Sequence, residues 1–266
     1  MATPSRITIA TAGWTVTREA APRLPVEGTH LMRYAGVFGG VEINSSFYRA
    51  HSAPTYRKWA AATPSGFRFA VKLPQQITHD LALRGARAPL ARFLEEIAGL
   101  GRKRGPVLVQ LPKSHILDRR SADRFLHCLR ELDDGPVVIE PRHASWFTEA
   151  ADRLLTKHRV SRAAADPICC PGAGLPGGWP GLVYYRLHGT PRMYWSRYTP
   201  DYIAALAATL GCHARTGARV WCVFDNTAWG GAILNALELT DAISRRRWRR
   251  AARRPRSAPR RGRSAS

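Results

Sequence analysis

The sequence predicts an α/β fold, a TIM-barrel-like (β/α)8 barrel, on three observations. Eight short apolar segments recur at intervals of roughly thirty residues, and the seven that follow the leading one run into charged or amide side chains. The chain has 266 residues, and eight parallel strands with intervening helices need about 250 to close. Barrels of this kind do their chemistry at the carboxyl ends of the strands, which is where the polar residues fall.

In order, the segments are ITIATAGW (7–14), VEINSSFY (41–48), FRFAVKLP (67–74), PVLVQLP (106–112), PVVIEPRHASW (136–146), SRAAADP (161–167), YYRLHG (184–189) and VWCVFDN (220–226). Helices are expected between them. Leu90, Phe93, Leu94, Ile97 and Leu100 repeat at helical spacing, with Pro89 suited to an early position. Ser121 is a candidate cap for a helix presenting Phe125, Leu129 and Leu132. Thr199 and Pro200 open another, with Ile203, Leu206, Ala207 and Leu210 on its apolar face. A last helix is expected near Ala232. Between strands 6 and 7 the pattern breaks: residues 167–181 hold four prolines and five glycines, which predicts an irregular crossover rather than a helix.

Composition fits a single domain over residues 1–244, since 45% of the chain is hydrophobic. The net charge of +22 is unevenly spread. Residues 245–266 contain eleven arginines and no acidic residue, leaving 30 basic and 19 acidic side chains before them, a net of +11. That Arg-rich tail has one aromatic and no periodic apolar face, so it is expected to be disordered. The basic body and tail make nucleic acid a candidate partner through counterion release. Five cysteines lack C-x-x-C pairs, so reduced thiols are expected. No segment approaches the ~20 apolar residues that cross a bilayer, and no signal peptide is apparent, so no membrane partner and a cytoplasmic location are expected.

Alternate strand residues point to opposite faces. On this rule Glu42 and Asn44 face the barrel axis, as do Arg68 and Lys72, Glu140 and Arg142, Arg162 and Asp166, and Arg186 and His188. For the last strand either Asp225 or Asn226 points inward. Unpaired buried charge costs several kcal/mol, so these groups must pair with one another or with a ligand.

Glu42, Glu140, Asp166 and His188 are the candidate catalytic groups, because carboxylates in different environments can serve as acid and base. Lys72, Arg142 and Arg186 suit a phosphate or carboxylate. Gln110, Asn44, Tyr48, Asp225 and Asn226 extend the candidate substrate-binding set. Gly230 and Gly231 join it because their amides sit where a helix N-terminus can hold an anion. Tyr194, Trp195, Arg197 and Tyr198 offer stacking groups or hydrophobic cover. The carboxylates and His188 allow a divalent metal in principle, but no H-E-x-x-H or comparable spacing occurs, and no metal or other cofactor is expected.

TAGW, VEINSSFYR, FRFAVKLPQQITH, VLVQLP, VIEPRHASW, ADP, YYRLHG and VFDNTAWGGAILNALEL together resemble the successive motifs of the YecE-like family, domain of unknown function 72. The resemblance spans approximately residues 6–243 and leaves the Arg-rich tail outside. It implies a TIM-barrel-like fold and a shared polar pocket, but no reaction. The leading expectation is therefore an enzyme acting on an anionic (phosphate- or carboxylate-bearing, sugar-like) substrate by carboxylate acid/base chemistry. Two others stay open: a metal-dependent nucleic-acid phosphodiesterase resembling apurinic endonucleases, and a non-catalytic binder of nucleic acid or another polyanion.

Overall fold

The computed structural model describes residues 6–252. Its architecture is mixed α/β with two sheets. The first, in spatial order, consists of β1 (Ile7–Thr11), β10 (Arg219–Phe224), β9 (Leu182–Leu187) and β7 (Ala164–Asp166). The second runs β2 (Gly40–Ile43), β3 (Arg68–Lys72), β4 (Arg104–Gln110), β5 (Val137–Glu140), β6 (Val160–Arg162) and β8 (Gly177–Gly178). All pairings are parallel except β6 with β8.

Two seams link the sheets. Ala12 bridges Glu42 in parallel, and Gly13 N–H donates to Glu42 O at 2.9 Å. The segment 161–167, expected to be one strand, is divided into β6 and β7: β6 pairs with β5, β7 pairs with β9, and Ala163 N–H between them donates to Ile139 O at 2.8 Å.

Among the described residues seven α-helices cover the sheets: α1 (His30–Ala35), α2 (Ala53–Ala61), α3 (Arg87–Ile97), α4 (Arg119–Leu132), α5 (Glu149–Lys157), α6 (Pro200–Arg215) and α7 (Gly231–Ala252). Thr199 caps α6 as expected, accepting from Tyr202 N–H. The α4 cap is Asp118 and not Ser121: its carboxylate accepts from the Arg120 and Ser121 amides, a stronger acceptor one turn earlier. Residues 167–181 hold no helix, only β8 against β6. The tail expectation needs correction at its start, since residues 245–252 continue α7; residues 253–266 lie outside the described residues.

The strands are apolar on both faces, as parallel sheets between helices and an interior must be. Val41, Ile43, Phe69, Val71, Val107, Val109 and Ile139 pack outward with the helices. The faces that the sheets turn toward each other share a second layer of Ala10, Ala70, Leu108, Val138, Ala163, Tyr184, Trp221 and Val223. Small residues there admit two large rings, Tyr184 and Trp221, stacked with centroids 6.0 Å apart. Gly40 is required by this packing: a Cβ would stand 2.6 Å from Thr8 Cγ2 and 3.0 Å from the Trp221 ring. Trp221 thus fills the amino ends of the strands, and the polar residues lie beyond the layer, toward the carboxyl ends.

Candidate functional site

Alternation delivers Glu42 from β2 and Arg186 from β9 onto the inner faces. Lys72, Gln110 and Glu140 are the last residues of β3, β4 and β5, and His188 and Asp225 directly follow β9 and β10. The fully buried Arg186 guanidinium is the hub. Its Nη2 donates to Glu42 Oε1 at 2.7 Å, its Nε lies 3.1 Å from both Glu42 oxygens, and its Nη1 donates to Glu140 Oε2 at 2.9 Å. Nη2 is also 3.0 Å from Asp225 Oδ2. Tyr184 Oη donates to Glu42 Oε2 at 2.8 Å. Gln110 Nε2 and Arg142 Nε donate to Glu140 Oε1 at 3.1 and 3.2 Å.

His188 is held on both sides, with Nδ1 3.0 Å from Asp225 Oδ2 and Nε2 3.2 Å from Glu140 Oε1. Ionised carboxylates only accept hydrogen bonds, so both ring nitrogens carry protons in this arrangement. Burial opposes that charge, but Glu140 and Asp225 outweigh it and raise the imidazole pKa. Burial likewise disfavours the Glu140 carboxylate, yet Arg186, His188 and Arg142 hold it well below the usual range. For Asp225, Arg186 and His188 overcome burial in the same way.

Lys72 is the exception. It is 5% exposed, and among the described residues its ammonium makes no hydrogen bond or ion pair, lying instead 3.9 Å above the Phe47 ring. Burial, then repulsion from Arg186, outweigh attraction to Glu42, Glu140 and Asp225 and bring its pKa down to about 8. Among the described residues Arg142 Nη2 is buried without a protein partner, as is Oδ1 of Asn44, which lies just past β2 beside Ala12–Thr15. Formally, three carboxylates (Glu42, Glu140, Asp225) face four cations (Lys72, Arg142, Arg186, His188 protonated). Arg186 contacts all three carboxylates, and among the described residues no three His, Cys, Asp or Glu side chains group so as to hold a metal ion.

Several expected site residues lie elsewhere. Asp166 accepts from Thr190 Oγ1 at 2.6 Å and Tyr198 Oη at 2.7 Å, so it ties down the loop after β9 instead of joining the carboxylate cluster. Arg162 points away from the interior: it bonds both Asp152 oxygens of α5 at 3.0 and 3.1 Å and covers Phe147, while Ala163 takes the inner position. Arg68 turns back to the carbonyls of Ser65 and Phe67. Asp225, not Asn226, faces the hub. Asn226 Nδ2 instead bonds Ser196 O at 2.9 Å and Asn235 Oδ1 at 3.0 Å, although its own Oδ1 has no protein partner. Gly230 and Gly231 are explained by close packing, since a Cβ would come within 2.3 Å of Thr17 Cγ2 and 2.8 Å of Arg197 Cγ respectively. Tyr48 is 75% exposed, its ring edge-on to Phe47. Tyr194 engages Arg142 and sets its ring 5.7 Å from His188, at the rim.

Sequence reasoning overlooked two neighbours. Tyr184 shares the strand face of Arg186 and His188, so alternation contained its signal; Phe47 sits in the turn after β2, where periodicity carries none.

Comparison with known proteins matches this chain to one family. The model for "Protein of unknown function DUF72" matches residues 8–260, further into the Arg-rich segment than the sequence motifs reach. The chain is 29% identical over 144 residues to the UPF0759 protein YecE of Escherichia coli K12, and 26% identical over 153 residues to the UPF0759 protein YunF of Bacillus subtilis 168. These alignments cover 52% and 53% of this chain and 52% of each relative, so the chain spans about half the length of the curated relatives it matches. A DUF72 family crystal structure from Thermotoga maritima MSB8 superposes with a TM-score of 0.74 at 23% identity, covering 90% of this chain and 99% of that one. One from Enterococcus faecalis V583 gives 0.72 at 22%, covering 90% and 97%. The fold is thus shared at low identity, and the chain belongs to the DUF72 family of proteins of unknown function.

Proposed function

We propose that the two sheets form one closed (β/α)8 ring, and that the protein is an enzyme acting on an anionic, phosphate- or carboxylate-bearing, sugar-like substrate at the strands' carboxyl ends. The ring reading is supported by the Ala12–Glu42 bridge and by the run 160–166, which contributes to both sheets. The functional reading rests on one observation: the cation excess of the cluster is concentrated in Lys72 and Arg142, which keep donors unused by the protein. A network that satisfies Glu42, Glu140 and Arg186 so fully has no evident reason to leave the Lys72 ammonium and Arg142 Nη2 without partners, unless a ligand pairs them.

Acid/base work falls to Lys72 more readily than to the carboxylates. Glu42 and Glu140 spend their oxygens on Arg186, Tyr184, Gln110, Arg142 and His188, and are positioning residues in this scheme. A pKa of about 8 lets Lys72 gain or lose a proton near neutrality. No observation favours the phosphodiesterase or polyanion-binder readings over this one.

The test is calorimetric titration of inorganic phosphate and of sugar phosphates into the full chain at pH 7. Binding that is lost in both Lys72→Met and Arg142→Met supports the proposal. Binding of none of these anions, or binding unaffected by either substitution, overturns it.

A further inference from the structure

We infer that Lys72 is an imine-forming nucleophile, and that the anionic substrate carries an aldehyde or ketone carbonyl which the Lys72 amine attacks. This rests on the proposed anion site and adds the reacting group of its substrate. A lysine that only bound an anion would do best as a fully charged, hydrogen-bonded ammonium. Lys72 is placed for the opposite: it is buried, it lies on an aromatic face, it has no carboxylate within ion-pair distance, and a guanidinium is nearby. Desolvation and a neighbouring cation are the two means by which a lysine amine is kept neutral and nucleophilic. Its lowered pKa agrees with that geometry: burial, then Arg186, bring it down against the pull of Glu42, Glu140 and Asp225. His79 also stands in the field of Lys72.

One further atom without a protein partner fits the same step: Arg142 Nη2 is a donor for the substrate's anionic group. In the reaction the nitrogen lone pair forms a bond to the carbonyl carbon while the C=O π pair moves to oxygen. That oxygen then leaves as water, carrying the two hydrogens given up by the neutral amine, and a C=N bond remains. No oxidant or reductant takes part.

The experiment traps the imine. The full chain is incubated with glyoxylate, a small anionic aldehyde, or with acetaldehyde, its neutral counterpart, in the presence of cyanoborohydride, and the lysines are mapped by peptide mass. The chain has five lysines, Lys58, Lys72, Lys103, Lys113 and Lys157, so assignment is direct. At pH 7 Lys72 should be alkylated by glyoxylate about tenfold faster than exposed Lys58 or Lys113, since far more of its amine is neutral. Inorganic phosphate should protect it, and Arg142→Met should slow the reaction. Failure to label Lys72, or labelling no faster than Lys58, overturns the inference. If phosphate binds by calorimetry while Lys72 stays unlabelled, the nucleophile falls and the anion site stands. If acetaldehyde labels Lys72 as fast as glyoxylate and phosphate gives no protection, the nucleophile stands and the anion site falls.

Discussion

Replacing Arg186 by methionine removes the charge that makes the buried carboxylates tolerable. The guanidinium makes hydrogen bonds or ion pairs of 2.7–3.1 Å to Glu42, Glu140 and Asp225, and all four groups are buried. Removing one partner of a buried ion pair costs about 3–5 kcal/mol, because the other charge stays behind without compensation. Against a total stability of about 5–15 kcal/mol this is a severe loss. With a urea m-value of about 3 kcal/mol per M, the midpoint at pH 7 should fall by roughly 1–1.7 M.

The pH dependence gives a second, independent sign. In the native protein Arg186 and His188 overcome burial and depress the pKa of Glu140 and Asp225, so that stability is present above the unfolded carboxylate range and is lost as pH falls. In the variant the Arg186 contribution is gone and burial lifts the folded pKa values, so acidification relieves the defect. The gap between the two proteins should therefore narrow from pH 7 toward pH 4, as read by urea unfolding. Arg186→Lys, which keeps the charge without the fork, should fall between them and guards against a variant that does not fold. A gap under about 1 kcal/mol at pH 7, or one that widens on acidification, would refute the hub role.

Other outcomes follow from the same geometry. Lys72 has a folded pKa lowered from 10.5 to about 8, so the native state is penalised by about 3 kcal/mol while the amine is charged. Stability should accordingly rise between pH 8 and 10 in the native protein, and this rise should be absent in Lys72→Met, measured by urea unfolding across that range. Asn235 is fully buried; it accepts from Tyr198 N–H and Asn226 Nδ2 at 3.0 Å each and donates to Tyr198 O at 3.1 Å and Glu238 at 2.8 Å. Asn235→Ala should cost about 2–4 kcal/mol and speed proteolysis within residues 189–198, checked by limited digestion. Gly40→Ala should cost about 1–3 kcal/mol in thermal or urea unfolding, because the added Cβ meets Thr8 and Trp221.

Much of the site was legible because a strand's side-chain period is two. Glu42, Glu140 and Arg186 could be placed on one interior without knowing the strand order, and the requirement that buried charge be paired implied that they meet. Periodicity failed where the backbone changes partners. Arg162 and Asp166 were given an inward face on the assumption of one continuous strand, but the run passes from one sheet to the other at Ala163, and Asp152 on α5 draws Arg162 outward. Asp225 and Asn226 lie just past β10, where alternation alone has no partner to fix it; the Asp225 N–H to Leu187 O bond continues the ladder by one residue and turns Asp225 inward. The glycines opening α7 read as an anion cradle because their local pattern matches one, whereas Thr17 and Arg197, distant in the chain, supply the steric reason. Lys72 was legible as a cation but not as an unpaired one. Whether a charge finds a partner depends on distances between strands, which no single segment encodes.

The most direct test is a crystal structure of the full chain grown with a sugar phosphate. Density for the sugar phosphate against both groups, its phosphate within hydrogen-bond distance of Arg142 Nη2 and its sugar in contact with Lys72 Nζ, with the Arg186–Glu42–Glu140 contacts unchanged, is the predicted result. A sugar phosphate bound elsewhere on the surface, with Lys72 and Arg142 untouched by it, would contradict the account.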